Sequence, residues 1–152
     1  MHSETLFSIC NYVAMAGWLL LVFAPGWLYT RTVIFSGIIL LFAALYILLI
    51  ASSFGQSEGG GFGSLAQVSK LFENPLALLA GWVHYLAFDL LVGCWMSADA
   101  RKVGIPHLAL VPCLFFTFML GPFGYLLYRA VRLFKMPKLL IDVQEIIPEN
   151  AA

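Results

Sequence analysis

The 152-residue chain is 62% hydrophobic, 15% aromatic and only 11% charged, and its eight basic and eight acidic side chains cancel. A soluble domain carries about 25% charged residues, and a globule this apolar would expose large patches and associate. The composition excludes an ordinary soluble enzyme and a disordered chain, and the absence of a basic excess excludes a nucleic-acid binder. What remains is a small integral membrane protein.

About 20 apolar residues are needed to cross a hydrocarbon core roughly 30 Å thick. Four stretches reach that length: about 5–24, 33–53, 76–97 and 107–128. The expected fold is therefore all-α, an integral membrane four-helix bundle, with a four-span domain over 1–132 and a C-terminal tail over 133–152. Of the sixteen Asp, Glu, Lys and Arg residues, only Asp89 falls inside a span, as the cost of charge in hydrocarbon demands. Continuous apolar runs such as 38–50 exclude a β-barrel, whose strands alternate in polarity over about ten residues.

Span one follows a short start that holds Glu4 and no Lys or Arg, so it reads as a retained helix and not as a cleaved signal peptide. The connection 25–32 is short and predicts an antiparallel pair with span two. The next connection, 54–74, contains Gly55, Gly59, Gly60, Gly61 and Gly63. This is the Gly-rich loop between helices 2 and 3, of a length usually functional or disordered. Within it Leu65, Val68, Leu71 and Phe72 fall near one face of a short interfacial helix over 64–72. Ahead of span three, Pro75 suits the first helical turn and Asn74 its cap. Capping is the stronger reading of Asn74, with a place in a substrate-binding set as the alternative. Span four contains Pro112 and Pro122, expected to kink it, and Gly121 and Gly124, expected to allow close packing. A basic stretch, Arg129, Arg132, Lys135 and Lys138, leads to the tail.

Four spans place both termini and the Gly-rich loop on one side. Lys70, Arg129, Arg132, Lys135 and Lys138 then oppose Arg31, Arg101 and Lys102. Five against three predicts termini in the cytoplasm, or in the stroma of a plastid. Cys10, Cys94 and Cys113 are odd in number and lack metal or disulfide spacing, so they read as small apolar residues.

Candidate chemistry gathers on span three. At about 100° per residue, Tyr85 and Asp89 share a face, His84 lies about 100° from Tyr85, and Asp99 about 40° away on the His84 side. An intramembrane carboxyl is expected to be protonated or hydrogen-bonded, because a low dielectric disfavours its charged form. Asp89 can then serve as a general acid, with His84 the matching base and Tyr85 beside them. The structural alternative is a hydrogen-bond network holding the bundle together. Trp82, Asp99, His107 and Asn74 complete the candidate substrate-binding set. Arg101 and Lys102 read as interfacial anchors. Asp99 with His107 supplies too few ligands to argue for a metal, so none is expected.

A set of motifs accompanies these residues. The runs Gly61-Phe62-Gly63-Ser64-Leu65-Ala66, Leu71-Phe72 and Asn74-Pro75 are followed by the continuous stretch 79–90, which carries Trp82, His84, Tyr85 and Asp89. Asp99-Ala100-Arg101, Gly104-Ile105-Pro106-His107, Pro112-Cys113-Leu114, Thr117-Phe118 and Gly121-Pro122 come after. Together they resemble the abscisic-acid-deficient-type family, named for the plant neoxanthin synthase of plastid membranes. The resemblance implies a membrane isomerase acting on a carotenoid or related isoprenoid, opening an epoxide to an alcohol while a neighbouring proton is lost to leave an allene. Such a reaction needs an acid, a base and an apolar slot but no redox cofactor. The roles of Asp89 and His84 come from their chemistry and not from the resemblance.

No transit peptide precedes the first span, so the expected setting is a bacterial inner or photosynthetic membrane, or a plastid membrane. The expected companions are membrane lipid and a bound carotenoid or other isoprenoid, with complex partners or further copies of the chain, and no nucleic acid. Two other readings compete. One is a non-enzymatic pigment-binding or accessory subunit of a larger membrane complex. The other is a small transporter relaying protons through Asp89 and His84.

Overall fold

A computed structural model describes residues 3–53 and 55–137. Among them the regular secondary structure is all helix, with no strand, in six helices. These are α1 (Ser3–Phe23), α2 (Thr30–Ser53), α3 (Leu65–Phe72), α4 (Pro75–Lys102), α5 (His107–Leu120) and α6 (Pro122–Lys135). Three of them, α1, α2 and α4, are long and apolar enough to cross a membrane. Most of the expected tail, from Lys138 onward, lies outside the described residues, as do Met1 and His2 ahead of span one and Phe54 at the start of the Gly-rich loop.

The first two long helices form the expected antiparallel pair, joined by a turn in which Thr30 Oγ1 donates to the Ala24 carbonyl at 2.6 Å. Within α2, Val33–Ile39 is wound as π-helix, a local widening that re-aims the residues that follow. Packing centres on α4, whose buried stripe includes Ala80, Val83, Leu86, Leu90 and Cys94. Small residues set the approach distances. A Cβ on Gly17 of α1 would stand 2.8 Å from Leu90 and 3.1 Å from Ile38, and one on Gly93 would stand 2.7 Å from the Trp18 ring. Glycine at these two positions lets three long helices meet at one level, as membrane helices commonly do.

The connection before α4 is ordered around a short helix. Ser64 caps α3 by accepting from the Gln67 amide, and the Gln67 side chain in turn accepts from Gly63 N–H at 3.0 Å. Asn74 then caps α4, its side-chain oxygen accepting from Leu76 N–H at 2.9 Å, with Pro75 in the first turn.

The region expected as a fourth span departs from expectation. The stretch 107–128 is not one helix: it breaks at Gly121, whose φ of +49° disfavours residues with a Cβ, and Pro122 opens a new helix. Gly124 sits directly against the Thr117 backbone, so α5 and α6 fold into a tight hairpin. Pro112 stays within α5. The domain boundary expected at residue 132 falls inside α6, which continues to Lys135.

The hairpin covers only half of α4. Near the start of α5, His107 Nε2 lies 2.8 Å from the carbonyl of Val22, at the end of α1. Thr117 meets Met96, and Gly121 abuts Asp89 midway along the 28-residue α4. Beyond the turn, Tyr125 and Tyr128 pack on Trp95, and Tyr128 and Arg132 reach Asp99. Helix α6 therefore runs parallel to α4 and ends near Lys102, whereas Ser3 shares a cleft with Pro75 at the other end. The two ends of the described chain lie at opposite ends of α4, where the sequence places them on one side. The physical reason is the break at Gly121 and Pro122.

Candidate functional site

The site is built on the face of α4 that meets the hairpin tip. Tyr85 and Asp89 lie one turn apart, and the Tyr85 hydroxyl interacts with the Asp89 carboxyl. That hydroxyl is also 3.5 Å from the Phe118 carbonyl in the last turn of α5. Gly121 closes the other side: a Cβ there would stand 2.9 Å from Asp89 Oδ1 and 3.3 Å from Oδ2. Asp89 Oδ2 is buried and has no hydrogen-bond partner. A carboxyl oxygen without a partner is costly in an apolar interior, and such atoms commonly mark a functional position. With a phenol beside it and an oxygen left without a partner, the carboxyl can donate or accept a proton.

His84 is not part of this constellation. It lies on another flank of α4, stacked on Phe88 at 4.4 Å between ring centroids and tilted against Tyr46 of α2 at 5.5 Å. The helical period explains this: five residues before Asp89 is about 140° around the helix. Trp82 lies on the Tyr85 stripe, its ring 5.4 Å from that of Tyr85, and its Nε1 donates to Asn11 Oδ1 of α1 at 3.2 Å. Asn11 is a partner that the sequence pattern does not single out. Trp82 also lines a cleft of about 260 Å³ with Ser3, Glu4, Phe7, Leu78 and Leu79.

Asp99 shares the helix but not the depth. Ten residues beyond Asp89, it lies about 15 Å further along α4, where the Tyr128 hydroxyl donates to its Oδ2 at 2.5 Å and Arg132 Nε donates to the same oxygen at 2.8 Å. Tyr128 is fully buried and Arg132 nearly so. Sequence reasoning misses this trio because Arg132 stands in a basic stretch that reads as a membrane flank. The signal is present, since Tyr128 and Arg132 are four apart and share a helical face. His107 donates from Nε2 to the Val22 carbonyl, fixing α5 to the end of α1. Asn74 is occupied as a cap.

Among the described residues no three His, Cys, Asp or Glu side chains come together. The three cysteines are buried and free. No curated protein and no solved structure matches the chain. A family model does, over residues 5–128, which include every candidate residue discussed above except Arg132. The chain belongs to the ABA4-like (ABA DEFICIENT 4-like) family.

Proposed function

We propose that this chain is a multi-pass membrane isomerase that transfers a proton on a carotenoid or related isoprenoid through Asp89. The observation that carries the reading is the half-buried Asp89 carboxyl at mid-length of an apolar helix, its Oδ2 buried and unpartnered and Tyr85 and Gly121 beside it. Intramembrane carboxyls are expensive and are kept where they do chemistry. With His84 on another flank, the carboxyl serves both roles. Its O–H gives a proton to the epoxide oxygen, its carbonyl oxygen takes the proton lost from the neighbouring carbon, and the C–O bond breaks as the new double bond forms. One proton enters and one leaves, so the carboxyl is regenerated and no redox partner is required. Tyr85 holds the carboxyl in place.

The test is conversion in the membranes of a carotenoid-producing host. Asp89→Asn is expected to abolish turnover while the protein still accumulates, and Tyr85→Phe to lower it. Turnover that survives Asp89→Asn overturns the acid–base role. One observation favours a second reading, a pigment-binding or accessory subunit: the site offers one carboxyl and one phenol and no second base. Purified protein carrying stoichiometric pigment or lipid in a host where no product forms supports that reading.

A further inference from the structure

The α5–α6 hairpin has the dimensions of a half-membrane insertion. Each helix has 14 residues, about 21 Å of rise against a hydrocarbon core of roughly 30 Å. Its tip meets Asp89 at the middle of α4. A chain reversal at that depth is tolerated only where its backbone groups are satisfied within the protein. Here they are. Gly121 N–H donates to the Thr117 carbonyl at 2.8 Å, the Gly121 carbonyl accepts from Gly124 N–H at 3.1 Å and Tyr125 N–H at 3.4 Å, and Pro122 has no N–H to satisfy. The Phe118 carbonyl faces the Tyr85 hydroxyl.

This geometry changes the charge balance across the membrane. With the hairpin returning to the side it came from, Arg129, Arg132 and Lys135 join Arg31, Arg101 and Lys102 at the Lys102 end of α4. Among the described residues Lys70 alone stands at the Pro75 end, beside the acidic Glu4, Glu58 and Glu73. Six basic residues against one is a far stronger asymmetry than the four against three that the same seven residues give in a four-span threading. Lys and Arg near helix ends concentrate on the cytoplasmic side.

We propose that the chain crosses the membrane three times, with its N-terminus and Gly-rich segment on the non-cytoplasmic side, and that α5 and α6 form a re-entrant hairpin inserted from the cytoplasm. A consequence for ligand entry rests on the function proposed above, whereas the threading does not. In the non-cytoplasmic half of the membrane the hairpin is absent, and the cleft at Phe7, Leu78 and Trp82 opens there, one to two turns from Tyr85. A membrane-dissolved substrate with an oxygen function reaches Asp89 from that leaflet, passing along the Trp82, Tyr85 and Asp89 stripe.

The test uses the full chain in a bacterial inner membrane with a membrane-impermeant maleimide. The native cysteines are buried and serve as the unlabelled background. Glu58→Cys is expected to be labelled in intact spheroplasts. Lys102→Cys and Lys135→Cys are expected to be labelled only after the membrane is opened. Glu58→Cys and Lys135→Cys labelled from the same side overturn the re-entrant hairpin. The two on opposite sides but with Lys135→Cys outside overturn the orientation. Should a cysteine variant fail to accumulate, fluorescent-protein fusions to the two ends of the intact chain decide. Fluorescence from the C-terminal fusion alone is expected, and equal fluorescence from both overturns the threading. Turnover plays no part in these readouts, so their failure is distinct from failure of the proposed chemistry.

Discussion

Two aspartates on one helix occupy opposite circumstances. Asp99 is closed off by Tyr128 and Arg132 on a single oxygen, at the end of α4 where the chain turns. Asp89 stands at mid-helix with a phenol on one side and one oxygen left over. The first arrangement fastens the fold and the second suits chemistry. Removing one member of a buried ion pair costs about 3 to 5 kcal/mol, because the remaining charge stays buried and uncompensated. Arg132→Met is therefore expected to lower the thermal unfolding midpoint in detergent markedly. In the double variant Arg132→Met with Asp99→Asn, part of that loss is expected to return, since no uncompensated carboxylate remains. Asp89 is legible from sequence as the single charge within an apolar run. Arg132 is not, because a basic residue after an apolar stretch reads as a membrane flank unless α6 returns along α4.

Among the elements, the α5–α6 hairpin depends on two glycines for different reasons. Gly121 holds a backbone conformation with φ of +49° and faces the Asp89 carboxyl. Gly124 has no room for a side chain at all: a Cβ there would collide with the Thr117 amide nitrogen. Backbone cannot rotate away as a side chain can, so Gly124→Ala is expected to part the two helices and deplete folded protein, read as loss of the monodisperse peak on size-exclusion chromatography. Gly121→Ala is expected to cost of order 1–3 kcal/mol through its backbone conformation and also to disturb Asp89, lowering turnover beyond the loss of folded material. The sequence suggests close packing at both glycines and a kink at Pro122. It does not distinguish a kink from a reversal. That choice turns on whether α6 finds a partner surface, and the partners, Trp95 and Asp99, lie some 30 residues away. The other element boundaries are legible, because the apolar runs of α1 and α2 end at Pro25 and near Gly55, and Asn74-Pro75 marks the start of α4.

Across the whole molecule the outer surface is apolar. Leu40, Ile47 and Leu48 of α2 and Phe115 and Leu120 of α5 are each more than half exposed, a surface that water would not tolerate and acyl chains would. Composition alone makes that property plain. The distribution of charge between the two ends is a different matter. It depends on which side α6 emerges, so it follows only from the fold. In the proposed threading, orientation is held by charges at the helix ends and not by the apolar helix bodies. Arg101→Gln with Lys102→Gln is therefore expected to yield a mixed population, with Glu58→Cys labelled in intact spheroplasts in only a fraction of the molecules.

The 14-residue length of α5 also dictates an order of assembly. The three long helices can each enter the bilayer as independent units, because each satisfies its own backbone and is long enough to span. Helices α5 and α6 cannot, since neither crosses alone and the reversal at Gly121 has no stable place in bare lipid. They must arrive after α4, docking on a surface already in position. The pairing of Arg132 with Asp99 then acts as the latch that completes the process, and it stands at the end of α4 that a returning chain meets as it leaves the membrane.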